Sequence, residues 1–189
     1  MIRDYSEVID RVLIDEESIK LKIKQLAKSI NDHYKDKDDL VLVGILKGSV
    51  MFMAELAKHL KLDVTMDFMV VSSYAENTYS SGNVKILKDL DTDIKDKEVL
   101  IVEDIIDTGY TLRKTKENLL NRDPKDVRII TLLDKPERRK IDIKPDWYGF
   151  KIPNEFVVGF GLDFDQLYRN LPYIGVLKRS CYEDIEDAK

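Results

Sequence analysis

Seven consecutive residues without a polar side chain, Leu40 to Leu46 in "LVLVGIL", set the strongest limit on how this chain folds. A strand that is apolar at every position is buried on both faces, and sheets covered on both faces are mainly parallel, with helices packed against them. The flanking sequence alternates accordingly. Residues 15–34, "DEESIKLKIKQLAKSINDHY", space Ile19, Ile23, Leu26 and Ile30 by four and three with acids in the first turn, which predicts an amphipathic helix. After Leu46, "SVMFMAELAKHL" reads as a helix and "DVTMDFMVVSSY" as a strand. "AENTYSSGN" (75–83) is polar and turn-rich, the pattern of a mobile excursion, and leads into the strand "VKILKDL". The strand "KEVLIVEDI", a helix from about Thr108 to Asn121 and the strand "DVRIITLLD" complete a second unit. This order predicts an α/β protein with an open, mainly parallel twisted sheet flanked by helices, and ligands at the carboxyl ends of its strands.

At 189 residues and 43% apolar content, the chain matches the size and core of one domain. A formal charge of -5 argues against a nucleic-acid partner, so any phosphate must be bound locally. Cys181 is the only cysteine and no His or second Cys stands near it, so it reads as a bystander. The start "MIRDYSEVID" does not resemble a signal peptide, and no apolar run approaches the roughly 20 residues that span a bilayer. A cytoplasmic protein with no membrane partner is expected. His33 and His59 read as helix-surface residues, and Trp147 and Tyr148 as core or as packing beneath a pocket.

Chemistry concentrates in "VLIVEDIIDTGYTL" (99–112). Val99–Val102 is expected to be the strand, Glu103 and Asp104 its carboxyl end, and Asp107, Thr108 and Gly109 the opening of the next helix. A glycine beside hydroxyl residues at a helix start turns successive N–H groups toward a phosphate, helped by the helix dipole, and Thr108 and Thr111 add hydroxyl donors. The acids Glu103 and Asp104 do not suit a phosphate. They suit the vicinal hydroxyls of a ribose and can help hold hydrated Mg²⁺. A phosphorylated sugar accounts for both halves of the motif.

Four further stretches accompany this one: "GILKGSVMF", "SSYAENTYSSG", "TLLDKPERR" and "PNEFVVGFGLDFDQLYRNL". Together they resemble the type I phosphoribosyltransferases, and most closely their purine-salvage hypoxanthine-guanine branch, from Leu42 to Leu177. The resemblance implies a core at about 36–150 and a small hood formed by N- and C-terminal segments, about 1–15 and 150–189. It implies transfer of 5-phosphoribose from 5-phosphoribosyl 1-diphosphate to N9 of hypoxanthine or guanine, giving IMP or GMP and pyrophosphate, with Mg²⁺ as cofactor and a homodimer or homotetramer as the assembly. Carried over residue by residue, it makes Asp107 the catalytic base and Glu103 and Asp104 the acceptors for the ribose hydroxyls. Asp107, Thr108, Gly109, Tyr110 and Thr111 become the 5'-phosphate site, and Lys47, Gly48 and Arg169 the pyrophosphate site, with the bond before Lys47 often cis. Ser73 and Tyr74 belong to a flexible loop that closes over the site. Lys135 donates to the purine 6-oxo group, Phe156 stacks on the base, and Val157 contacts its edge through the backbone. Glu103, Asp104 and Asp163 are the metal residues. Tyr110 and Glu155 stand where some relatives carry lysine, which bears on affinity and guanine preference. Two rivals stay open on the same fold: a transferase for xanthine or a pyrimidine, and a regulator that senses the sugar diphosphate.

Overall fold

The computed structural model describes residues 4–73 and 84–183. Strand β1 (Ile9–Ile14) leads into helix α1 (Glu16–Tyr34), whose start is fixed by Asp15: one carboxylate oxygen accepts from the Ser18 N–H at 2.8 Å and the other from its hydroxyl at 3.0 Å. β2 (Leu40–Leu46), α2 (Val50–Ala57), β3 (Val64–Ser73) and β4 (Val84–Lys88) follow. Then come β5 (Glu98–Ile106), α3 (Tyr110–Leu120), β6 (Asp126–Asp134), β7 (Trp147–Lys151), β8 (Val157–Val158) and β9 (Ile174–Leu177).

Six strands form one sheet in the order β4-β3-β2-β5-β6-β7, parallel except for the edge strand β4. Alternate residues of the central strands face opposite layers. Leu42, Leu100 and Val102 pack with α1 and α2, whereas Val43, Val99 and Ile101 pack with Leu112 and Leu119 of α3. Burial on both sides explains why these strands are apolar throughout. Gly44 keeps β2 close to its cover: a methyl group there would collide with Met53 and Phe68. A second, antiparallel sheet, β1-β9-β8, joins the two ends of the chain above the carboxyl ends of the main strands.

The expected α/β class therefore holds, while several local expectations need correction. β5 does not end at Val102. Its ladder with β6 continues through Glu103↔Thr131, Ile105↔Leu133 and Ile106↔Asp134, so Glu103 and Asp104 lie within the strand, because backbone pairing takes no account of side-chain polarity. α3 starts at Tyr110 rather than Thr108, since Gly109 has φ +89° and cannot continue a right-handed helix inward. Tyr148 is 42% exposed instead of belonging to the core; Trp147 is half-buried and packs against the edge of His33 at 5.2 Å. His33 is thereby half-buried as well, and half-buried His59 lies 3.5 Å from Glu55. Among the described residues no helix is long and apolar enough to cross a membrane.

Candidate active site

The carboxyl ends of β2, β5 and β6 bring Lys47, Asp107 and Lys135 to one edge of the sheet, as the switch-point rule for such sheets requires. Its floor is the end of β5. Burial pushes the Glu103 carboxyl well above its ordinary range, and the neighbouring Asp104 adds to the effect. Burial also raises Asp104, to about 6, against the pull of the Ile105 N–H, which donates to its carboxylate at 2.7 Å, and of the Arg169 guanidinium. Gly48 rests directly on the Asp104 carboxylate: any side chain at 48 would overlap it, and a side chain at Gly161 would overlap the Gly48 carbonyl. The Leu46–Lys47 peptide bond is cis.

Past β5 the chain turns through residues 107–109 into the N-terminus of α3. Glu103, Asp107, Thr108, Gly109 and Thr111 line a recess of about 160 Å³ there. This brings together the residues expected at a phosphate, with Tyr110 beside them and 42% exposed. The Asp107 carboxylate is 2.8 Å from Nε of Arg138, and its carbonyl accepts from Nε of Arg139 at 3.0 Å.

Next to the recess opens a cleft of about 500 Å³ bounded by Asp107, Lys135, Phe156, Val157, Asp163 and Tyr182. Lys135 is nearly buried and donates to the Glu155 carbonyl at 2.7 Å. Burial lowers its pKa, with the carboxylates of Asp107 and Glu155 acting in the opposite sense. Arg11 from β1 holds the Glu155 carboxylate by two bonds of 2.7 and 2.6 Å. Phe156, 37% exposed, meets Phe164 edge-on at 5.6 Å and stacks with Tyr182 at 5.1 Å.

Lys47 and Arg169, both expected at a pyrophosphate, share one acceptor. The amide oxygen of Gln166 takes Lys47 Nζ at 3.1 Å and Arg169 Nη2 at 3.2 Å. Arg169 also bonds the Gly161 carbonyl at 2.7 Å and Asp163 at 2.8 Å, and Asp163 accepts the Gln166 N–H at 2.9 Å. Asp163 is thus engaged within the hood. Among the described residues no three acidic, histidine or cysteine side chains come close enough to hold a metal, so the expected set of Glu103, Asp104 and Asp163 is not one preformed cluster. Their all-oxygen donor chemistry still suits Mg²⁺, which keeps several waters and substrate oxygens rather than a full protein cage. Ser73 ends β3; Tyr74 and the expected loop at 75–83 lie outside the described residues.

Sequence reasoning missed Gln166, Arg138, Arg139, Arg11 and Tyr182. The adjacent arginines in "KPERRK" are the one visible signal, and a short basic run of this kind is by itself no pointer to a site.

Comparison with known proteins places this geometry among relatives. A family model described as the phosphoribosyl transferase domain matches residues 13–165. A hypoxanthine-guanine phosphoribosyltransferase of Lactococcus lactis is 54% identical over 180 residues, covering 95% of this chain and 97% of its own. One from Bacillus subtilis is 53% identical over 175 residues, covering 93% and 97%. A solved hypoxanthine phosphoribosyltransferase from Staphylococcus aureus superposes with a TM-score of 0.92 at 49% identity, over 96% of this chain and 98% of that one.

Proposed function

This chain belongs to the phosphoribosyl transferase family, and from that premise we propose that it transfers 5-phosphoribose from 5-phosphoribosyl 1-diphosphate to N9 of hypoxanthine or guanine. The products are IMP or GMP and pyrophosphate, the chemistry of purine salvage. One observation carries the assignment to this site: two adjacent, half-buried carboxylates, both held above their ordinary ionisation range by desolvation, stand near the end of the strand that leads into the recess at the start of α3, which Glu103 itself lines. Ribose hydroxyls supply the donors those acids lack, and the 5'-phosphate supplies the anion that the recess and the α3 N-terminus favour.

In this reaction the N9–C1' bond forms as the bond from C1' to the pyrophosphate oxygen breaks, and the proton on purine N7 passes to the Asp107 carboxylate. Arg138, whose Nε lies 2.8 Å from that carboxylate, borders the same cleft. Lys47 and Arg169 exchange their shared Gln166 oxygen for pyrophosphate oxygens. Lys135 turns its donors to the 6-oxo group, the exposed face of Phe156 receives the purine ring, and the Val157 backbone meets its edge. Glu103, Asp104 and Asp163 would hold Mg²⁺ through water and ribose hydroxyls. Bound there, it supplies charge neutralisation to the departing pyrophosphate. Ser73 and Tyr74 belong to the segment that would exclude water from the sugar cation. A cytoplasmic homodimer or homotetramer fits the same assignment, and light scattering tests the assembly.

The discriminating experiment offers the sugar diphosphate, Mg²⁺ and an equal mixture of hypoxanthine, guanine, xanthine, adenine and uracil, with products identified by mass. IMP and GMP are expected. Adenine should fall at least about three orders behind in kcat/KM, because Lys135 has donors only and would face an amino group in a closing pocket. Dominant xanthosine or uridine monophosphate would overturn the base assignment, and binding of the sugar diphosphate without any product would favour a regulator.

A further inference from the structure

We propose that Arg139 is a positioning residue whose guanidinium aims the backbone amides of the phosphate recess. The proposal rests on the reading of residues 107–111 as the 5'-phosphate site, and extends it to a residue outside that site.

Arg139 is largely enclosed, its side chain only 15% exposed. Its planar fork is used in three directions. Nε donates to the Asp107 carbonyl at 3.0 Å, Nη1 donates to the Ile143 carbonyl at 2.9 Å, and Nη2 pairs with the buried Asp134 carboxylate at the end of β6. The next residue continues the same seam: the Lys140 N–H donates to the Thr108 carbonyl at 3.1 Å. Two successive carbonyls of the recess are thus held toward the 139–143 segment. In a planar trans peptide the N–H points opposite to the C=O. Pulling the carbonyls of Asp107 and Thr108 backward therefore turns the N–H groups of Thr108 and Gly109 forward, into the space where an anion binds. The packing agrees, because a side chain at Gly109 would collide with Ile143 and crowd Arg139 and Ile141. Lysine cannot replace this fork, since a single ammonium on a flexible stem cannot span a carboxylate and two divergent carbonyls in fixed geometry.

The test compares wild-type protein with Arg139→Lys and Asp134→Asn. Steady-state kinetics for both substrates are combined with calorimetric binding of ribose 5-phosphate. Arg139→Lys should lower kcat/KM for the sugar diphosphate by about 10²-fold, as a displacement of about 1 Å does at a positioned group. It should weaken ribose 5-phosphate binding and leave KM for hypoxanthine unchanged. Asp134→Asn keeps the shape but removes the orienting charge, and should give the same selective loss at smaller size. In Arg139→Ala, millimolar guanidinium should restore part of the lost affinity for ribose 5-phosphate. Wild-type kinetics in Asp134→Asn would overturn the proposal whether or not Arg139→Lys folds. So would equal losses for sugar and base in Arg139→Lys. A wild-type protein that neither binds ribose 5-phosphate nor makes nucleotide would instead overturn the underlying site assignment.

Discussion

The floor of the site and its hood handle charge in opposite ways. On the floor, Glu103 and Asp104 are side by side in a central strand, and burial holds both above their ordinary ionisation range. Under and around the hood, by contrast, several charges already have internal partners: Lys47 and Arg169 on Gln166, Arg169 on Asp163, Lys135 on the Glu155 carbonyl and Arg11 on the Glu155 carboxylate. A ligand settling on the floor therefore relieves an unfavourable state. A ligand entering under the hood has to displace contacts already made. Binding free energy for the sugar should come mostly from the floor, and discrimination among bases from the hood, where a wrong base fails to replace what it removes.

Asp107 stands on the seam between the two, and the largest effect is expected there. Asp107→Asn should keep binding of the sugar diphosphate and lose about 10² to 10⁴ in kcat, the usual range for proton transfer by a positioned group. Near-normal turnover would remove Asp107 from the chemistry and place the base elsewhere in the hood. A smaller effect tests the floor directly. A carboxyl whose folded-state pKa is raised contributes stability below its unfolded value and loses it as pH rises through the folded value. For Asp104 that window runs from 3.8 to about 6. Asp104→Asn cannot ionise, so the ligand-free variant should melt at a higher temperature than the parent at pH 8, a stabilisation of at most about 3 kcal/mol, with the difference gone near pH 4. Equal melting at pH 8 would mean that the floor is compensated after all, and the contrast with the hood would fail. The smallest effect lies in the hood. Tyr182→Ala removes one aromatic pair, of about 0.5 to 1.5 kcal/mol, and should raise KM for hypoxanthine about 2- to 10-fold with KM for the sugar diphosphate unchanged. A matching rise for both substrates would show that hood and floor are not separable.

The same contrast explains what was legible in the sequence. The floor and recess come from one continuous segment, Val99 to Leu112, whose apolar run, acids and glycine sit at fixed offsets, so the order of residues carries the geometry. The six-stranded sheet was legible for the same reason, except at β7, where Trp147 to Lys151 mixes exposed and buried positions on an edge. Hood strands β1, β8 and β9 are short and gain their meaning from partners far away in the chain. Gln166 sits with φ +64° in a turn that no local pattern predicts, and its importance comes only from the two cations that converge on it. Arg139 belongs to a segment that looks like a solvated basic run; its burial follows from the way residues 139–143 fold back behind the recess.

The pairing of β1 with β9 also sets a timetable. Ile14 finds its partner in Ile174, and Ile9 in Leu177, across almost the whole chain. On a ribosome adding about 5–20 residues per second, β1 waits on the order of ten seconds or more for the segment it pairs with. During that interval β2, β3, β5 and β6 can assemble around α1, α2 and α3, and the floor with its recess can exist. Phe156 and Val157 acquire their support only when β9 arrives. A nascent chain halted before Ile174 would carry a place for the sugar phosphate and no seat for the base.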